Sequence, residues 1–234
     1  MARVRSVDLG SSFLSNLDGV CEVLLVRHGE QVLSQEMSLA DAVDSPLSNL
    51  GQRQAGAVGA RLATTPVCAI YSSQLVRARY TAEAIATQHG LGVTEHTDLA
   101  EIHLWRDLAQ DRPLGSLIEA DELRRIMQTG NRSQRWDAYP YAEPREEFRA
   151  RIVTAIDTII EAHVGDRVVV VCHGGVINGY LAHSMSSSLD TPCTLHHTSI
   201  TTVRAMGDQR RVVQVNDFDH VRAFQSELDP ANAL

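Results

Sequence analysis

Short apolar runs alternate with longer segments of helical character along most of the chain. Residues 22–26 are apolar and β-branched after one acidic position, which predicts a buried strand. Polar residues then continue to Pro46, and Ser48 is placed to cap a helix over about 49–63. Residues 67–71 read as a second strand, with Ser72 and Ser73 offering caps for a helix reaching about Gln88. A short third strand is expected at 91–95. From about Leu104 to Tyr141, Pro, Gly and scattered charge obscure the pattern, and helices are expected there without fixed ends. Phe148, Ile152, Ile156, Ile159 and Ile160 recur at helical spacing, so 145–163 is predicted as an amphipathic helix. The four valines Val168 to Val171 form the clearest strand, with another helix expected after His173, Gly174 and Gly175. Residues 201–204 and 212–215 read as late strands. Strands that are apolar on both faces and alternate with helices imply an α/β fold. The expected architecture is a three-layer α/β/α arrangement with a mostly parallel central sheet.

The 234 residues, 44% of them apolar, suffice for one domain with a sizeable core. A single domain over 21–234 is expected, with 1–20 as a mobile or loosely docked extension. The net charge of −8 disfavours nucleic acid and anionic membrane as partners. No apolar run is long enough to span a bilayer, and no apolar stretch follows Arg3 and Arg5 to make a secretory signal. Cys21, Cys68, Cys172 and Cys193 are widely and irregularly spaced with no CxxC pair, which fits reduced thiols and a cytoplasmic location.

In open α/β sheets, ligands bind beyond the carboxyl ends of the strands. The first strand here ends in Arg27 and His28, the second leads into Arg77, and the valine strand ends in His173. Two guanidiniums and two imidazoles in one crevice repel one another unless an anion is present. A phosphate turns the same groups into a set of charge-assisted donors, to which helix N-termini add. The segment from Leu25 to Glu30, reading L-V-R-H-G-E, resembles the RHG signature of the histidine phosphatase superfamily, the phosphoglycerate mutase-like proteins. Residues 45–55, residues 71–78 with Thr81 and Ala82, and residues 169–176 resemble three further motifs of that family in the same order. Glu101 falls where the family has its acid.

The resemblance implies His28 as a nucleophile that forms a phosphohistidine, with Arg27, Arg77 and His173 on the phosphate oxygens. It implies Glu101 as the proton donor to the leaving oxygen, Gly174 beside the phosphate, and no metal or other cofactor. Arg79 is a neighbouring alternative to Arg77, and Glu95 and Asp107 are alternatives to Glu101. The chain departs from the family at Gln31, where Thr or Ser is usual, and at Ser34, where an Asn normally adds a phosphate contact. After Glu101 the sequence is Ile102, His103, Leu104 and Trp105, without the usual glycine. Metal-independent hydrolysis of a small phosphorylated substrate is therefore expected, with a phosphoglycerate mutase-type phosphotransferase or an inactive phosphate-binding module as alternatives. A competing zinc reading rests on the short Cys193, His196, His197 cluster.

Overall fold

A computed structural model describes Leu14 and residues 18–222. Strands β1 (Cys21–Arg27), β2 (Ala69–Ser72), β3 (Val93–Glu95), β4 (Arg167–Cys172), β5 (Ile200–Met206) and β6 (Gln209–Asp217) form one sheet in the order β3-β2-β4-β1-β5-β6. The neighbours β3, β2, β4 and β1 pair in parallel, and β5 is antiparallel to both β1 and β6. Helices α1 (Leu39–Val43), α2 (Asn49–Leu62), α3 (Val76–His89), α4 (Ala120–Ser133), α5 (Arg145–Ala162) and α6 (Gly174–Ser184) complete the regular structure. No helix among the described residues is long and apolar enough to cross a membrane.

The both-faces-apolar strands are explained by two cores. Val23, Leu25, Val168 and Val170 pack on one side against Phe148, Ile152 and Ile156 of α5 and Val176 and Ile177 of α6. Leu24, Val26, Val169 and Val171 pack on the other against Val58 and Leu62 of α2 and Ala78, Ala82 and Ile85 of α3. Each fully buried aliphatic side chain contributes about 1.5–3 kcal/mol, so a polar residue on either face of β4 is strongly destabilising. This is the expected three-layer, mostly parallel architecture.

Several local features differ from the sequence expectation. Ser48 caps α2 as expected, accepting from the Gly51 amide at 3.0 Å. Ser72 and Ser73 do not cap α3, which starts at Val76 after Leu75 without a side-chain cap. The Val76 amide donates instead to Asp44 Oδ1 at 2.7 Å, an acceptor from a distant loop. Helix α1 has only five residues and was not expected; Ser38 caps it. Between β3 and α5, Ile118, Ile126 and Tyr139 form a third, smaller core with Trp105, Leu114 and Leu123 around them. A methyl at Gly130 would overlap the Tyr139 ring at 2.3 Å, so this glycine lets the ring lie against α4. The N-terminal extension lies mostly outside the described residues. Leu14 itself is buried, and its carbonyl accepts from Arg204 at 3.1 Å.

Candidate active site

Strand β1 delivers Arg27 and His28 to the carboxyl edge of the sheet, directly beside the end of β4, since Arg27 pairs with Cys172. The chain then turns sharply away. A methyl on Gly29 would lie 2.5 Å from the Gly51 carbonyl oxygen, and one on Gly51 would lie 2.0 Å from that of Glu30. Two glycines therefore let the loop cross the start of α2 at backbone contact. Hydrogen bonds hold the crossing. The Glu30 amide donates to Gln54 Oε1 at 2.8 Å, the Ser48 hydroxyl donates to Glu30 Oε1 at 2.7 Å, and the Gly29 amide donates to Thr81 Oγ1 at 3.1 Å.

His28 is buried, with Nδ1 2.7 Å from the Gly29 carbonyl oxygen. A carbonyl can only accept, so Nδ1 carries the proton and Nε2 keeps its lone pair. Arg77 Nε donates to that lone pair at 3.2 Å, and Arg77 Nη1 is anchored on the Val43 carbonyl at 2.6 Å, at the end of α1. Arg27 is anchored on the Leu195 carbonyl, while its Nε is buried without a partner. His173 packs against His28 with ring centroids 5.0 Å apart. Its Nε2 is 2.9 Å from Ser73 Oγ, and its buried Nδ1 has no partner. Glu101 Oε2 accepts from the Gly175 amide at 3.0 Å, at the start of α6, and Oε1 accepts from the Ile102 amide at 3.0 Å.

Burial pushes the His28 pKa well below its usual value, and Arg77, then His173, Arg27 and His197, push it further. His173 is lowered by burial and then by Arg77 and Arg27. His197, with its ring 5.8 Å from that of His28, is lowered to about 3 by burial and then by Arg27. All three imidazoles are therefore neutral at neutral pH. Burial lowers Arg77 to about 10, which leaves it cationic. The site thus joins a neutral nucleophile-type nitrogen to two guanidiniums and Glu101, with Glu30 also at the cavity wall. A cavity of about 480 Å³ opens on it, lined by Arg27, His28, Gln31, Arg77, Glu101 and His197. A second cavity of about 610 Å³ shares Gln31, Leu33, Arg77 and Glu101 with the first and adds Leu39, Leu104 and Trp105.

The sequence matches the histidine phosphatase superfamily (branch 1) over residues 23–218. The chain belongs to the histidine phosphatase superfamily. Among relatives in the superfamily, it is 33% identical over 154 residues to a probable phosphoglycerate mutase GpmB of Yersinia enterocolitica, covering 65% of this chain and 69% of the relative. The Klebsiella pneumoniae protein of the same name is 35% identical over the same length and shares. Bacillus stearothermophilus YhfR has a similar structure, with TM-score 0.68 and 26% identity over 86% of this chain and all of that one. A mycobacterial glucosyl-3-phosphoglycerate phosphatase shares the fold, with TM-score 0.66 and 22% identity over 84% of this chain and 99% of that one.

Of the residues that the superfamily resemblance singled out, Arg27, His28, Arg77, Glu101 and His173 meet in this cluster. Gly174 lies beside it: a methyl there would meet Arg27 Nε at 3.6 Å, an ordinary contact. Ser34 lies elsewhere. It is exposed, accepts from the Glu36 amide at 3.2 Å and lines a third cavity with Met37, Leu114 and Ile118, which shares Leu33, Leu39 and Trp105 with the second but none of the cluster residues. Arg79 is on the surface, paired with Glu83 and Glu95, and Asp107 is exposed and paired with Arg106. Cys193, His196 and His197 do not converge as a metal site. His196 stacks on Phe218 and bonds Asn216, and the Cys193 amide bonds Asn178. Sequence reasoning read Ser73 as a helix cap rather than as the partner of His173, although it lies inside the 71–78 motif, and it missed the Val43 anchor, to which no motif points, and the Gly175 amide as the donor to Glu101.

Proposed function

We propose that the protein is a metal-independent phosphomonoester hydrolase acting through a phosphohistidine on His28. The observation that carries this reading is the neutral His28 imidazole, whose Nε2 lone pair faces a guanidinium inside an anion-ready cluster. Nε2 attacks phosphorus in line, the P–N bond forms and the P–O bond to the leaving group breaks. Arg27, Arg77, His173 and the amide end of α6 at Gly174 hold the non-bridging oxygens, where preorganised donors act on developing charge. Glu101, which enters this step as the carboxylic acid, gives its proton to the leaving oxygen and becomes the carboxylate. In the second step the Glu101 carboxylate takes a proton from water, the P–O bond to water forms, and the P–N bond breaks to restore His28.

Hydrolysis is favoured over mutase transfer by what surrounds the second cavity. A mutase must grip a small carboxylate, and one of the arginines that line this space, Arg151, is committed. Arg151 is bound by Glu143 at 2.7 and 2.9 Å and by the carbonyls of Asp98 and Ala100. Arg112 and Arg124 are not among the residues lining the cavity. Leu33, Leu39, Leu104 and Trp105 form much of the wall, which suits a leaving group with an apolar body. Arg106 also borders this cavity and makes only long, exposed pairs with Asp107 and Glu147. It supports the second reading, a phosphoglycerate mutase-type transfer, as do the names of the sequence relatives.

Rapid quench with labelled substrate tests the step common to both. An acid-labile, base-stable phosphoprotein is expected, and His28→Ala is expected to abolish labelling and turnover. Labelling that persists in the variant would place the nucleophile elsewhere. Phosphate release from monoesters that exceeds interconversion of 2- and 3-phosphoglycerate selects hydrolysis. The opposite ratio selects the mutase.

A further inference from the structure

At the amino ends of the strands, on the far side of the sheet from His28, three side chains from two segments face one another. We propose that Cys68, His163 and Asp166 form a zinc site. Their ligand atoms all lie within 4.8 Å of one another. Cys68 Sγ is 3.5 Å from His163 Nδ1. A tetrahedral zinc ion with Zn–S of about 2.3 Å and Zn–N of about 2.0–2.1 Å holds sulfur and nitrogen about 3.5 Å apart. The two atoms already have the separation that a shared metal requires, and rotation of one carboxylate supplies the third ligand.

The imidazole is oriented for the task. His163 Nε2 lies 2.9 Å from Tyr71 Oη. When Nε2–H donates to that phenol, as the non-ligating nitrogen of a metal-bound histidine donates to an outer partner, Nδ1 presents its lone pair toward Cys68. The backbone is equally fixed. The Cys68 amide donates to the Arg167 carbonyl at 2.9 Å, and the Asp166 carbonyl accepts from the Glu22 amide at 2.9 Å. The Asp166 amide closes a turn on the His163 carbonyl at 3.1 Å, with Gly165 at φ +90° inside it. All three ligands therefore sit next to strand ends or in a tight turn, where little motion is available.

A nucleophilic Cys-His-Asp arrangement does not fit. There the carboxylate would orient the imidazole from behind, and here Tyr71 occupies that position. A divalent ion neutralises thiolate and carboxylate together. Soft sulfur, imidazole nitrogen and one carboxylate select zinc over magnesium or calcium, with water as the fourth ligand. The six residues of β4 put this site roughly 20 Å from the phosphate cluster, so it is independent of the chemistry proposed there.

Cobalt(II) titration of the metal-free full-length protein is the test. One equivalent is expected to bind with a near-ultraviolet thiolate-to-cobalt charge-transfer band, which added zinc removes. Cys68→Ser is expected to abolish the band. His163→Ala and Asp166→Asn are each expected to weaken binding by about tenfold or more. The band is expected to persist in His28→Ala, which separates this site from the imidazoles of the phosphate cluster. Zinc is expected to raise Tm by roughly 5–10 °C at a hundredfold excess over Kd, and not in Cys68→Ser. Binding without a thiolate band, a band that survives Cys68→Ser, or an equal Tm shift in that variant would overturn the proposal.

Discussion

One methyl group at Gly175 reaches the Glu101 carboxylate without touching its chemistry. In Gly175→Ala the new carbon would lie 2.2 Å from Glu101 Oε1, 3.1 Å from its Cδ and 3.3 Å from the Trp136 ring. Ordinary contact begins near 3.4 Å, so the carboxylate must retreat by roughly 1 Å and its bond from the Gly175 amide weakens. A displacement of about 1 Å at a reacting group costs on the order of 10²-fold in rate, and a lost general acid 10²–10⁴-fold. Helix stability moves the other way: Ala replacing Gly inside a helix favours folding by about 0.5–1 kcal/mol, which partly offsets the clash. The expected result is a protein of nearly unchanged Tm whose kcat/KM for an alkyl phosphate falls about 10²-fold or more. For p-nitrophenyl phosphate, whose leaving group departs without protonation, the expected loss stays under about tenfold. Glu101→Ala is expected to show the same split between substrates. Equal losses on both, or unchanged kinetics, would remove Glu101 from the proton-donor role.

Two other perturbations read the same cluster. Arg77→Ala removes the donor to His28 Nε2 and one guanidinium from the cavity, so vanadate binding and kcat/KM are expected to fall by about 10²-fold or more, while normal kinetics would mean that the phosphate sits elsewhere. His28, His173 and His197 all have folded pKa values depressed below about 6.5, so unfolding takes up protons, and stability is complete above that pH and declines as pH falls toward the folded values. At pH 5.5 the three together account for a loss of up to about 4 kcal/mol relative to pH 7.5, a urea-unfolding measurement that phosphate should blunt and that a flat profile would contradict.

The parts of the fold that were legible in the sequence are those whose pattern reports directly on burial. Val168 to Val171 are buried on both sides of the sheet, and no periodicity other than a continuous apolar run serves that position. Helix α5 was legible because its isoleucines keep helical spacing along one packed face. Helix α1 was not, because five residues carry too little periodicity and distant backbone fixes them. The Leu39 and Ala40 amides donate to the carbonyls of Arg112 and Gln110. Residues 104–141 were opaque for a related reason: most of their apolar side chains fill a small core of their own, and only a few, such as Leu104 and Trp136, also pack toward the sheet. In the site, His28 and His173 were legible as residues at strand ends. Ser34 was placed by analogy with a motif position, and the loop carries it to another cavity. Cys68 and His163 are 95 residues apart, and only the register of β2 against β4 brings them together.

The same geometry explains why the cluster asks for an anion. Arg27 and Arg77 share the site with Glu101, Glu30 also borders the cavity, and the fold limits repulsion among the cationic and imidazole groups in two ways. It keeps His28, His173 and His197 neutral by burying them, and it ties each guanidinium to a backbone carbonyl, Leu195 for Arg27 and Val43 for Arg77. Those carbonyls are partial charges and neutralise neither cation. Arg27 Nε and His173 Nδ1 remain buried and unpartnered, and a buried polar group without a partner costs about 1–3 kcal/mol. A compact acceptor with several oxygens answers Arg27 Nε, and answers His173 Nδ1 as well when that nitrogen carries the ring proton. A phosphate presents tetrahedrally arranged oxygens to such donors, whereas a planar carboxylate presents two. A bound dianion would also reverse the field at the imidazoles, favouring the protonated forms that burial now suppresses. The features that keep His28 neutral before substrate arrives therefore weaken once the phosphate is bound, and the proton on Nδ1, held by the Gly29 carbonyl, keeps Nε2 as the attacking nitrogen.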